Sequence, residues 1–171
     1  MLLSRNKLAL IGLGNYLMKD EGFGLRVIPF LFEELKGLPV DLVEGGTPGL
    51  NLLHEFQERE ALIFLDAGYC GQAPGEFARF TPDDVKSNKL LAGLSLHEFD
   101  LMKFIKSAEK LGFVQNTEIV VFCMQVKEIA LSEEFSPEVQ AGLPAFVEAV
   151  CAETRGMLEK WSAHEHPTSI N

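Results

Sequence analysis

An α/β fold, in which a mostly parallel twisted sheet of about five strands carries helices on both faces in three layers, is predicted by two features of the sequence. Short apolar runs bounded by turn residues recur at 7–12, 39–45, 61–67 and 118–126, and Leu62-Ile63-Phe64-Leu65 and Ile119-Val120-Val121-Phe122 have no polar interruption. Runs of this kind fit strands buried on both faces. Between them lie segments with helical spacing, and alternation of strand and helix implies a largely parallel sheet covered on both faces.

Each element has its own justification. Lys7 to Gly12 is an apolar strand that runs into the turn Gly12-Leu13-Gly14-Asn15-Tyr16-Leu17-Met18-Lys19-Asp20-Glu21-Gly22-Phe23-Gly24. Leu25, Ile28, Leu31, Phe32 and Leu35 then share one helical face, with a kink expected at Pro29. Pro39 to Gly45 and Ala61 to Ala67 are the next strands. Glu76 to Phe80, following Pro74-Gly75, is expected to be a short, antiparallel edge strand. Leu96, Phe99, Leu101, Phe104, Ile105 and Ala108 mark a helix whose start, Ser95 with Glu98, is a capping box. Glu118 to Val126 is the last strand. In Ser136-Pro137-Glu138 the serine caps, the proline takes the first helical position and the glutamate complements the helix dipole. The long helix that follows presents Val139, Leu143, Phe146, Val147, Val150 and Cys151, with a kink expected at Pro144. Periodicity is lost after Trp161, so 162–171 is expected to be a frayed tail of a single domain, 1–171.

Composition excludes several function classes. A net charge of −10 with no basic run disfavours nucleic acid, whose binding requires clustered Lys and Arg. No stretch approaches the roughly 20 apolar residues of a membrane span, and Met-Leu-Leu-Ser-Arg-Asn-Lys lacks the apolar core of a signal peptide, so a cytoplasmic protein without membrane contact is expected. Cys70, Cys123 and Cys151 are odd in number and contain no CxxC pair, which points to reduced thiols and away from a disulfide framework or structural zinc.

In a sheet wound this way, ligands bind outside the carboxyl ends of the strands. Asp20 and Glu21 follow the first strand at the positive end of a helix, where two fixed negative charges repel a phosphate and attract a cation. Glu44 follows the second strand and Asp66 ends the third. Capping would explain any one of these acids alone, but their convergence favours chemistry. His97 falls in the first turn of its helix, where the dipole depresses the imidazole pKa and favours the neutral, metal-binding form. Glu21, Asp66 and His97 together form an open set without thiolates, suited to holding a borderline metal weakly until a partner completes the shell. His54 and His97 lack the second histidine of HExxH, His164 and His166 fall in the tail, and no G-x-S-x-G elbow occurs. Cys70 reads as a loop thiol. A dinucleotide site has partial support from Gly12-Leu13-Gly14 and Glu44, but Leu17 stands where the third glycine belongs, and two acids would face the pyrophosphate.

Gly12 to Gly24 resembles the opening signature of the [NiFe]-hydrogenase maturation endopeptidases. Glu44-Gly45-Gly46-Thr47-Pro48-Gly49-Leu50, Asp66-Ala67 and Ser95-Leu96-His97 are similar to the later motifs of that family, in the same order across about residues 7 to 155. The resemblance implies a phosphorylase/hydrolase-like fold and a monomeric hydrolase that removes the C-terminal extension of the hydrogenase large-subunit precursor after nickel insertion. It also implies that Glu21, Asp66 and His97 contact nickel carried by the precursor. Peptide hydrolysis would use water activated through the metal or by a carboxylate in an aspartic-type mode, with Glu21, Asp66 and Glu44 as candidates. Two departures stand out: Glu44 replaces the usual Asp, and Met124-Gln125-Val126-Lys127 replaces a Gly- and Pro-containing turn. A dinucleotide-binding protein and a non-catalytic nickel or hydrogenase assembly scaffold are the alternatives.

Overall fold

The computed structural model describes residues 5–87 and 96–165, the side chains of 96–99 and 164–165 excepted. The strands are β1 (Leu8–Leu13), β2 (Val40–Gly46), β3 (Ala61–Gly68), β4 (Phe77–Phe80) and β5 (Glu118–Gln125), arranged β2-β1-β3-β5-β4. All neighbours are parallel except β4, which runs antiparallel to β5 with Phe77 opposite Met124 and Phe80 opposite Val121. The expected sheet and its antiparallel edge strand are therefore present.

The uninterrupted apolar runs are explained by two cores. Leu8 and Leu10 of β1, Ile63 and Leu65 of β3, and Val120 and Phe122 of β5 face one side. Ala9, Ile11, Leu62, Phe64, Ile119 and Val121, one residue out of step, face the other. A period of two exposes neither face when both are covered. The first core is closed by α1 (Phe23–Arg26), α2 (Ile28–Glu34) and α5 (Pro137–Glu165), with Phe23 edge-on to Phe146 at 4.8 Å between ring centroids. The second is closed by the 3-10 segment Leu50–Phe56 and by α4 (Leu96–Lys110), through Leu52, Phe56, Leu101, Phe104, Ile105 and Ala108.

Three local expectations change. The first helix is divided at Val27, so Pro29 lies in the first turn of α2, where a missing N–H costs little, and does not kink a continuous helix. The short α3 (Pro82–Lys86) is additional; Thr81 caps it in a reciprocal box with Asp84, a pattern legible in Thr81-Pro82-Asp83-Asp84. At the C-terminus, α5 continues through Pro144 and on to Glu165, four residues into the segment expected to be frayed. Trp161 packs against the first core there, which anchors the last turns. Residues 166–171, and the capping role expected of Ser95, lie outside the described residues.

Candidate active site

The strand order reverses between β1 and β3: the chain leaves β1 for β2 on one side and later returns to β3 on the other. Such a switch point leaves a crevice at the carboxyl ends of the strands. The glycine turn closes over that crevice by direct backbone contact. Gly24 lies so near the strand ends that a Cβ there would stand 2.2 Å from Leu65 O and 2.3 Å from Leu13 O. Gly14, at φ +128°, leaves space for the carbonyl of Glu21, which a Cβ would meet at 2.0 Å. These contacts bring the 3-10 turn Lys19–Gly22 and α1 against β1 and β3. Gly24→Ala is expected to cost about 3 kcal/mol or more, because the obstructing atoms are strand backbone and cannot rotate away. Gly37→Ala, strained by φ +82° but facing open space, should cost only about 1 kcal/mol. Urea unfolding of the two variants measures the difference.

On this frame Glu21 is half-buried, and Asp66 near the end of β3 is 2% exposed, with its Oδ1 accepting the Ala67 N–H at 2.8 Å. Glu44 projects further into solvent and accepts a hydrogen bond from the Tyr16 phenol. Burial, then this bond and the Glu44 charge, push the Tyr16 pKa up against the opposing charge of Arg26. His97 occupies the first turn of α4. Its side chain lies outside the described ones. Among the described residues no three His, Cys, Asp or Glu side chains gather into a metal-binding group.

Asp20 behaves differently from its neighbour. It is completely buried and accepts the backbone N–H of Lys127 and Glu128, each at 2.9 Å, the N–H of Ser136 at 2.8 Å and the Ser136 hydroxyl. Burial would raise its pKa, but the Ser136 hydroxyl and the three N–H donors outweigh it and hold the carboxyl below its ordinary value. The expectation that Asp20 presents a cation-attracting charge is thus corrected. Its charge is consumed inside the protein, at the N-terminus of α5, where it complements the helix dipole.

Three other side chains make contacts that the sequence does not reveal. Gln125 is buried, and its Oε1 accepts the N–H of Cys70 at 2.9 Å and of Gln72 at 3.2 Å. The segment that departs from the Gly/Pro turn therefore ties down the loop after β3 with a side-chain amide. Cys70, read as a loop thiol, is buried and bonds the Cys123 carbonyl at 3.3 Å; none of the three cysteines is in a disulfide. Arg26 donates to the carbonyls of Tyr16 and Ser132 and stacks over Phe135 at 4.8 Å. It thus joins the turn after β1 to the segment after β5. No sequence spacing marks these pairs, since their members lie between 10 and 109 residues apart.

The family model described as hydrogenase maturation protease matches residues 26–153. The chain belongs to this family. The match starts after the glycine turn, so it does not rest on that motif. The hydrogenase expression/formation protein HupD of Rhodobacter capsulatus is 31% identical over 157 residues, covering 91% of this chain and 72% of HupD. Among solved structures, the [NiFe] hydrogenase maturation protease HybD from Thermococcus kodakarensis superposes with a TM-score of 0.71 at 28% identity, covering 84% of this chain and 96% of that one. The hydrogenase maturating endopeptidase HybD from E. coli gives a TM-score of 0.74 at 24% identity, covering 88% and 93%, a likeness of fold. As a member of the hydrogenase maturation protease family the chain is a protease and hence a hydrolase. No helix among the described residues is long and apolar enough to cross a membrane.

Proposed function

We propose that this protein removes the C-terminal extension of a [NiFe]-hydrogenase large-subunit precursor once nickel has been inserted, and that Glu21, Asp66 and His97 contact that nickel as part of the substrate. The observation that supports the reading is the backbone packing of Gly14 against Glu21 and of Gly24 against Leu13 and Leu65, the residue before Asp66. Two carboxylates and an imidazole leave coordination positions open. Thiolates of the precursor would supply the soft donors that nickel favours, so a loaded precursor completes the shell and an empty one does not. Hydrolysis then requires a water whose proton is accepted by a carboxylate or whose acidity is raised by the metal. Glu44, exposed and partnered by Tyr16, is the third candidate carboxylate, for orienting water or peptide.

Mass spectrometry of nickel-loaded and nickel-free precursor after incubation with the protein tests this reading. Shortening of the loaded form alone is the expected result. Binding without shortening would favour an assembly scaffold, and equal shortening of both forms would remove nickel from the account. His97→Ala should keep the fold, read by circular dichroism, and lower the processing rate about 100-fold or more if the imidazole contacts the reacting centre. Normal processing by that variant would remove His97 from the metal set.

A further inference from the structure

Six of the ten large apolar side chains that remain exposed among the described residues share one edge of the sheet. Tyr16, Leu17, Leu50, Tyr69, Ile129 and Leu131 all lie on segments that leave the carboxyl ends of β1, β2, β3 and β5, and they make up most of the exposed large hydrophobics among the described residues. Leu50 and Leu131 are each 81% exposed. A concentration of apolar groups around one edge marks an interaction surface, whereas single exposed leucines do not. Part of this surface is also held in shape. The Ser132 N–H donates to Leu17 O at 3.0 Å and the Lys19 N–H to Ser132 O at 2.8 Å, so Leu17 and Leu131 stand on two segments joined by backbone. Groups already ordered lose little entropy on binding. Charged residues, including the Lys19–Glu128 pair, border them, as polar residues rim an apolar interface core.

We infer that these side chains form an apolar docking collar for the folded body of the large-subunit precursor, separate from the groups that act on its extension. The inference rests on the function proposed above. The occupant follows from the position of these side chains: they lie on segments that leave the same strand ends as Glu21 and Asp66, so a macromolecule seated on them lies over the site. A second copy of this chain would block the reaction, and an anionic lipid surface would meet the carboxylates of Glu21, Glu44 and Glu128. The precursor alone must approach this edge for its extension to be cut.

The test measures binding and processing separately. Binding of purified nickel-free precursor, which the proposed reaction leaves intact, is measured by calorimetry for the wild type, for Leu50→Asp combined with Leu131→Asp, and for Leu111→Asp. Leu111 is exposed just after α4, towards the opposite edge. The double variant should bind at least about tenfold more weakly, with Leu111→Asp unchanged, and a synthetic extension peptide should not compete. Processing of loaded precursor by the double variant should show a KM raised by a similar factor and a kcat within about twofold of wild type, the signature of lost uniform binding. Unchanged affinity, an equal loss in Leu111→Asp, or full competition by the peptide overturns the collar. Failure of the wild type to shorten loaded precursor overturns the underlying function, and the binding result still decides the collar.

Discussion

Asp66→Asn is expected to reduce shortening of the nickel-loaded precursor by about 100-fold or more while the protein remains folded. The substitution is nearly isosteric, and the amide oxygen can still accept the Ala67 N–H that Oδ1 accepts now. The fold should therefore be retained, as unfolding midpoints of the variant and the wild type would show. What disappears is a negative charge at the end of a buried strand, placed where strand order reverses. Loss of a positioned carboxylate that accepts a proton costs 10²- to 10⁴-fold in rate, and loss of a metal contact acts in the same direction. Glu21→Gln should behave similarly. A rate within about threefold of wild type, with unfolding midpoints unchanged, would remove Asp66 from the reacting centre.

Asp20→Ala, one residue before Glu21, should show the opposite pattern: a loss of folding stability of about 4 kcal/mol. The substitution strips partners from three backbone N–H groups and the Ser136 hydroxyl. Buried donors left without acceptors cost about 1–3 kcal/mol each, partly recovered where water can reach the site. The pH dependence follows from the direction of the shift. Asp20 is held below its ordinary value of 3.8 in the folded protein, so its stabilising contribution is complete above that value and is lost as pH falls through the folded pKa. Asp20→Asn should unfold more readily at neutral pH and lose less stability than wild type on acidification below about pH 4. Urea unfolding from pH 7 to pH 3 measures both. Parallel pH profiles for wild type and Asp20→Asn would show that this carboxylate carries no such linkage.

The contrast between Asp20 and Glu21 shows where sequence reading succeeds and where it stops. In the chain they are equivalent acids at a helix start, and electrostatics treats them alike. Asp20 is buried beneath the segment after β5, whereas Glu21 keeps part of its surface in solvent. Ser136 illustrates the same limit, because its hydroxyl donates to Asp20, 116 residues away, in addition to any local role at the start of its helix. Gln125 could not be recognised as a loop anchor, since its partners Cys70 and Gln72 become neighbours only when β3 and β5 pair. Local patterns served better for the elements themselves. Every strand run and the antiparallel edge strand are present, because burial on both faces leaves a mark that needs no partner to be read. The error at the C-terminus came from treating lost periodicity as lost helix, although Trp161 still reaches the core.

From the sequence by itself came the strands, the principal helices, the family resemblance and the acids Glu21, Glu44 and Asp66 at the strand ends, since each depends on residue type and short-range spacing. Only the tertiary structure decided the strand order, the switch point between β1 and β3, and the burial of Asp20 as an anchor while its neighbour Glu21 keeps part of its surface in solvent. The physical reason is that these depend on contacts between distant segments: Gly24 against Leu13 and Leu65, and Asp20 against Lys127, Glu128 and Ser136. Hydrophobic periodicity records which face of an element is buried, but it does not record which element lies against it.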